Sequence, residues 1–117
     1  IIKIREQKKS YKYNDIIAEA QKYIDLYYCD PNLNLNVVAS HVNISSSYFS
    51  TLFAQEIGES FIEYLTRKRI ERAKELLLTT SMRLTDVAFE VGYQDSNYFG
   101  KIFKKLTDKS PRQYRGS

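Results

Sequence analysis

The chain writes one unusual segment twice. "SSSYFSTLFAQ" at 45–55 returns as "DSNYFGKIFKK" at 95–105, with paired aromatics followed by a third aromatic four residues on. Setting "LNVVASHVNIS" (35–45) above "LTDVAFEVGYQ" (84–94) pairs Leu35 with Leu84, Ala39 with Ala88 and Val42 with Val91, all 49 residues apart. Beyond the turn, Tyr48 pairs with Tyr98, Phe49 with Phe99, Phe53 with Phe103, Ser60 with Ser110 and Tyr64 with Tyr114, now at an offset of 50. The extra residue falls in the turn of the second copy, where an insertion costs least. A repeat of this kind means one supersecondary unit used twice, and any fold for the chain must accommodate both copies.

Each copy reads as helix, tight turn, helix. Leu35, Val38, Ala39 and Val42 recur at three- and four-residue spacing, which makes one buried stripe. Asn43 in one copy and Gly92 in the other follow the first helix, and both tolerate the left-handed conformation that ends helices. Ser45 and Asp95 are good N-caps for the next helix. Phe49, Leu52, Phe53 and Ile57 then share one face, as do Phe99, Ile102, Phe103 and Leu106. Two helices joined by so short a turn form a helix-turn-helix unit.

The other segments fit around these units. Residues 14–28, "NDIIAEAQKYIDLYY", form an amphipathic helix with Ile17, Ala20, Ile24 and Tyr27 or Tyr28 inward, stopping before Asp30-Pro31. A capping box, Ser60 with Glu63, opens a long helical pattern over 60–80, and "SPRQY" at 110–114 is a second capping signature with Pro111 at the first helical position. Nothing reads as a strand. The expected fold is therefore all-α, with about seven helices and two helix-turn-helix subdomains joined by a long connector. Residues 1–13 read as a linker from an upstream domain, 14–59 as the first subdomain, 60–80 as the connector and 81–117 as the second.

Charge is unevenly spread along the chain. Residues 67–117 carry twelve bases against six acids, whereas residues 14–66 carry one base against seven acids. A basic half beside an acidic half suggests a polyanion met mainly by one side of the molecule. The faces opposite the aromatic stripes agree with this. One carries Ser47, Ser50, Thr51 and Ala54; the other carries Asn97, Lys101 and Lys104, flanked by Ser96 and Gly100. Neither has an apolar stripe to bury against protein, and a DNA major groove admits a helix whose Asn, Ser, Thr and Lys reach base edges and phosphates. The connector can also be tested for length. Twenty helical residues span about 30 Å, close to the roughly 34 Å between readers on one face of a duplex. Arg67, Lys68, Arg69, Arg72 and Lys74 give the connector charge suited to phosphates, and Glu71 and Glu75 are their alternative partners.

Other classes have less support. A single Cys29 and a single His41 exclude an internal disulfide and offer no metal-ligand cluster, and no Gly-rich phosphate loop is present, so neither an enzyme nor a cofactor is expected. No apolar run approaches a membrane span, which points to a cytoplasmic protein without a membrane partner. A helical protein-interaction or structural domain is the alternative; it would bind no duplex even at low salt.

The motif "VGYQD", "YF", "FKK" and "SPRQYR" at 91–115, with the related first copy, resembles the DNA-binding domain of AraC/XylS-type transcription regulators over residues 14 to 115. The resemblance implies base contacts from Ser47, Ser50 and Thr51 in the first reader and from Ser96, Asn97, Gly100 and Lys101 in the second. Arg67, Lys68, Lys104 and Arg112 are the expected phosphate contacts. It also implies an upstream ligand-binding or receiver domain and RNA polymerase as a partner. Two departures from the family pattern carry expectations of their own. Asp108 stands where Gly is usual, so strain is expected at that helix end. The first reader lacks Arg, Gln and Trp at its contact positions, so it should discriminate bases less strongly than the second.

Overall fold

In a computed structural model, described over Ile2–Gly116 with side chains from Asp15 onward, the backbone forms seven helices and no strand among the described residues. They are α1 (Ile2–Tyr27), α2 (Leu35–His41), α3 (Ser46–Ile57), α4 (Phe61–Thr79), α5 (Leu84–Glu90), α6 (Ser96–Thr107) and α7 (Pro111–Arg115). The all-α expectation holds, helix for helix.

α1 begins at Ile2 instead of near Asn14. Residues 2–13 lack an apolar period, but they also lack Gly and Pro and are rich in Lys, Arg, Glu and Gln, whose helix propensity is high. The helix still ends where Asp30-Pro31 approaches.

The chain divides into two compact units. One takes α1 to Tyr27 together with Leu33–Tyr64; the other takes Tyr28–Asn32 and everything from Leu65 on. The first turn of α4 thus belongs to the first unit and its remainder to the second. In the first unit Ile17, Ala20 and Ile24 of α1 are buried with Val38 and Ala39 of α2 and with Phe49, Leu52 and Phe53 of α3. Phe61 and Tyr64 complete this core; Tyr64 stands edge-on to Phe53, with ring centroids 5.3 Å apart, and its hydroxyl bonds Asp25. In the second unit Ile70, Ala73 and Leu77 of α4 pack with Val87 and Ala88 of α5, with Val91 at the end of that helix, and with Phe99 and Phe103 of α6. Tyr114 of α7 meets Phe103 edge-on at 5.3 Å, in the same relation as Tyr64 to Phe53. The aromatic repeat is a repeat of core geometry.

Helix ends follow the sequence closely. The Ser45 side chain accepts from the Tyr48 amide, and Asp95 accepts from the amides of Asn97 and Tyr98. Ser60 and Glu63 bond each other's main-chain N–H, as do Ser110 and Gln113, so both capping boxes are formed. The bond from the Ser60 amide holds the Glu63 carboxyl below its ordinary range. Asn43 and Gly92 both have positive φ, 63° and 106°.

Two sequence expectations need adjustment, and a third holds. Leu106 is 52% exposed and does not belong to the buried face of α6. α6 has 12 residues against 7 in α5, so its last turn outruns the helix it packs on. Tyr27 is likewise exposed, and Tyr28, half-buried, joins the second unit. Asp108 does carry the expected strain: it is the left-handed cap of α6 at φ 64°, where the equivalent position in the first copy is Gly58 at φ 88°.

Candidate nucleic-acid interface

Burial of one face fixes what the opposite face can do. In α3, Phe49, Leu52 and Phe53 are turned into the core, which leaves Ser47, Ser50, Thr51 and Ala54 exposed. In α6, Phe99 and Phe103 are buried, which leaves Asn97, Lys101 and Lys104 exposed beside half-buried Ser96 and Gly100. Every expected base-contacting residue therefore lies on the outward side of its own helix.

The two faces differ in chemistry. The Thr51 hydroxyl donates back to the Ser47 carbonyl at 3.2 Å, so its proton is committed to the helix and only its acceptor capacity faces out. α3 carries no basic residue in its last turn. α6 ends in Lys104 and Lys105, and Lys101 stands one turn earlier on the Asn97 side. Asn97 offers two donors and an acceptor on one rigid amide, the arrangement that reads adenine bidentately.

Gly100 is the one glycine inside a described helix of this interface. A Cβ built there would meet nothing within 4 Å. Its equivalent in α3 is Ser50, so the position takes a side chain without difficulty in the isolated domain. Gly100→Ala should raise the stability of the free domain by about 0.5–1 kcal/mol, because Gly in a helix interior costs that much relative to Ala. The same change should lower affinity for the preferred duplex if a base approaches the bare backbone. Thermal unfolding and binding titration on one preparation check this; stability and affinity rising together would remove Gly100 from the interface.

The connector's charges separate into different roles. Arg67 is exposed and pairs with Glu71 at 3.4 Å, and Arg72 pairs with Glu75 at 2.8 Å. Lys68 is half-buried. Arg69 departs from the expectation of phosphate-facing charge: it is only 8% exposed and donates to the carbonyls of Tyr28 (2.6 Å) and Asp30 (2.9 Å). Its guanidinium also lies over the Tyr93 ring, 5.3 Å from the centroid. Burial lowers its pKa and raises that of the Tyr93 phenol, and the charge of Arg69 opposes the latter shift. Arg69 is thus part of the second unit's interior. Arg112 is exposed on α7. Sequence reasoning passed over Arg115, whose guanidinium donates to the carbonyls of Leu77, Met82 and Thr80.

The remaining chemistry-bearing residues are accounted for locally. His41 stacks on Tyr23 with centroids 4.1 Å apart and its Nε2 meets Glu19 at 3.2 Å. Burial pushes the Cys29 thiol above its ordinary range, away from the reactive thiolate. Among the described residues no cluster could hold a metal ion, and no helix is long and apolar enough to cross a membrane.

Two helix-turn-helix units, each with an aromatic core and a polar outward helix, define a class of DNA-binding domain. A family model described as a helix-turn-helix domain matches residues 38–117, and the chain belongs to this family, that of the AraC-type transcription regulators. It is 40% identical over 99 residues to the arabinose operon regulatory protein of Escherichia coli (strain K12), covering 85% of this chain and 34% of that protein. To the regulatory protein PocR of Salmonella typhimurium it is 36% identical over 99 residues, covering 85% and 32%. The chain therefore spans about a third of the length of these regulators. Among solved structures, the C-terminal domain of AraT, a response regulator from Geobacillus stearothermophilus, superposes with a TM-score of 0.83 at 42% identity, covering 86% of this chain and 83% of that one. The DNA-binding domain of AdpA, solved in complex with a target DNA, shares the fold with a TM-score of 0.80 at 21% identity, covering 85% and 88%.

Proposed function

We propose that this chain is the sequence-reading part of a transcription regulator, with α3 and α6 entering successive major grooves of one duplex. The observation that carries this reading is the repeated outward strip opposite the aromatic core: Ser47, Ser50, Thr51 and Ala54 on α3, and Asn97, Lys101 and Lys104 on α6, all exposed and all small, polar or basic. Ser47, Ser50 and Thr51 are the base-contacting set of the first reader, and Ser96, Asn97, Gly100 and Lys101 that of the second. Arg67, Lys68, Lys104 and Arg112 are the phosphate contacts, which fix register without carrying sequence information. The whole protein acts in the cytoplasm through an upstream regulatory domain and RNA polymerase, in keeping with the family.

Selection of preferred duplexes from a random pool tests the reading. A single asymmetric site about two helical turns long is the expected product, and no enrichment at low salt would overturn it in favour of a helical interaction domain. On the selected site, Asn97→Ala should relax preference at one or two positions and cost roughly 1–3 kcal/mol if the contact is bidentate. Ser50→Ala should cost less, since a hydroxyl gives one adaptable hydrogen bond. Affinities across single-base variants of the site decide the order; a costlier Ser50→Ala would reverse the ranking of the two readers.

A further inference from the structure

The second copy of the repeat differs from the first in one respect that the base-reading helices do not explain. Residues 81–85 and α7 line an open cleft of about 730 Å³ in which Arg83, Arg112 and Arg115 come together with the hydroxyl-bearing Ser81 and Thr85. By the offsets of the repeat, the first copy has Asn34, Ile62 and Leu65 at the three arginine positions. All three cations are peculiar to the second unit.

Arg115 bonds three main-chain carbonyls, Leu77 at 3.0 Å, Met82 at 2.7 Å and Thr80 at 3.3 Å, and so fixes the segment leading into the cleft. Its partners are neutral groups, so its charge still contributes to the cleft's potential. The Arg83 side chain is 87% exposed, and it stands a long 3.8 Å from Asp86. Although Arg83 holds the cap position of α5, its side chain makes no capping hydrogen bond, whereas Asn34 caps α2 from the equivalent place. Arg112 is exposed on α7. Three guanidiniums against one carboxylate, beside two hydroxyl donors, make a site for a phosphoryl group, which guanidinium forks bind in bidentate geometry.

We propose that this cleft seats one backbone phosphate of the duplex, so that Arg83 joins Arg112 in an anchor belonging to the second unit alone. This rests on the DNA-binding reading above. The cleft is open, and therefore suits the edge of a polymer better than it suits a small phosphorylated ligand that must be enclosed. Because a phosphate carries no base identity, the anchor adds affinity and salt sensitivity and leaves base preference untouched.

The test is a salt titration of the selected duplex with the wild-type domain and with Arg83→Gln/Arg112→Gln, the thermal midpoint of each being measured alongside. The slope of log K against log salt should fall by about one for each phosphate left without its cation, with affinity reduced about tenfold near physiological salt and base preference unchanged. In a second arm, single phosphates of the duplex are replaced by neutral methylphosphonates. One replacement should weaken the wild type and leave the variant indifferent. Arg83→Gln alone serves if the double variant fails to fold. An unchanged slope with no such position overturns the anchor while the DNA reading stands; a wild type with no preferred duplex sinks that reading itself. If inorganic phosphate alone raises the thermal midpoint of the wild type but not of the variant, with the duplex slope unaltered, the cleft takes a free phosphate and the assignment to DNA is wrong.

Discussion

Five base pairs inserted between the two half-sites of the selected duplex should lower affinity by about 10²-fold or more. Five base pairs turn one half-site away by half a helical turn, so only one reader engages its groove. Specific binding exceeds non-specific binding by about 4–10 kcal/mol, and losing one of two readers removes a substantial share; about 3 kcal/mol is roughly the stated factor. The expectation depends on the connector: α4 is an uninterrupted helix of 19 residues, about 28 Å long, without Gly or Pro to bend it. Residual binding should resemble that of the second half-site alone, because Asn97, Lys101 and Lys104 outweigh Ser47, Ser50 and Thr51 in charge and hydrogen-bonding capacity. Competition titrations on duplexes with zero and five inserted base pairs measure this. Affinity that survives the insertion would mean one unit does all the binding.

The second large effect is on stability. Gly92→Ala should cost about 3 kcal/mol or more. Gly92 has φ +106°, where a side chain adds backbone strain of roughly 1–2 kcal/mol. The new methyl would also stand 2.9 Å from Nε of Arg69 and 3.1 Å from the Cys29 carbonyl. Neither neighbour can yield cheaply. Arg69 is held by two carbonyls and the Tyr93 ring, and Cys29 is main chain, so overpacking adds a further 1–3 kcal/mol or so. Asn43, the equivalent residue of the first copy, holds φ 63° with its side chain in place, so Asn43→Gly should change stability far less. Chemical denaturation of both variants provides the comparison, and a similar small loss in each would mean the Arg69 side chain moves aside without cost.

Most of this architecture was legible because it is periodic. Phe49, Phe53, Phe99 and Phe103 announce the buried faces, and the outward faces follow by helix geometry, so the exposure of Ser47, Asn97 and Lys101 is dictated by the sequence period alone. The capping residues were equally plain, since Ser45, Asp95, Ser60 and Ser110 act on amides only two or three residues away. Arginine roles were not legible in this way. Arg67, Arg69 and Arg72 look alike in the chain, yet one is buried beneath carbonyls contributed from about forty residues away. Nothing local marks such a partner. Leu106 failed for a related reason: its apolar period continues after the packing partner has ended. The start of α1 could have been found from propensity, because residues 2–13 contain no helix breaker even though they lack a stripe.

Arg69 also bears on how such domains can be recombined. A protein engineer wishing to graft the second reader onto another scaffold would naturally cut before α4 and move everything downstream as a cassette. That cassette would leave behind Tyr28–Asn32, which the second unit claims as its own. Arg69 would then arrive with a buried charge and no carbonyls to receive it. The transferable module is discontinuous: a short strap from early in the chain must travel with it, or a replacement for the strap must be designed.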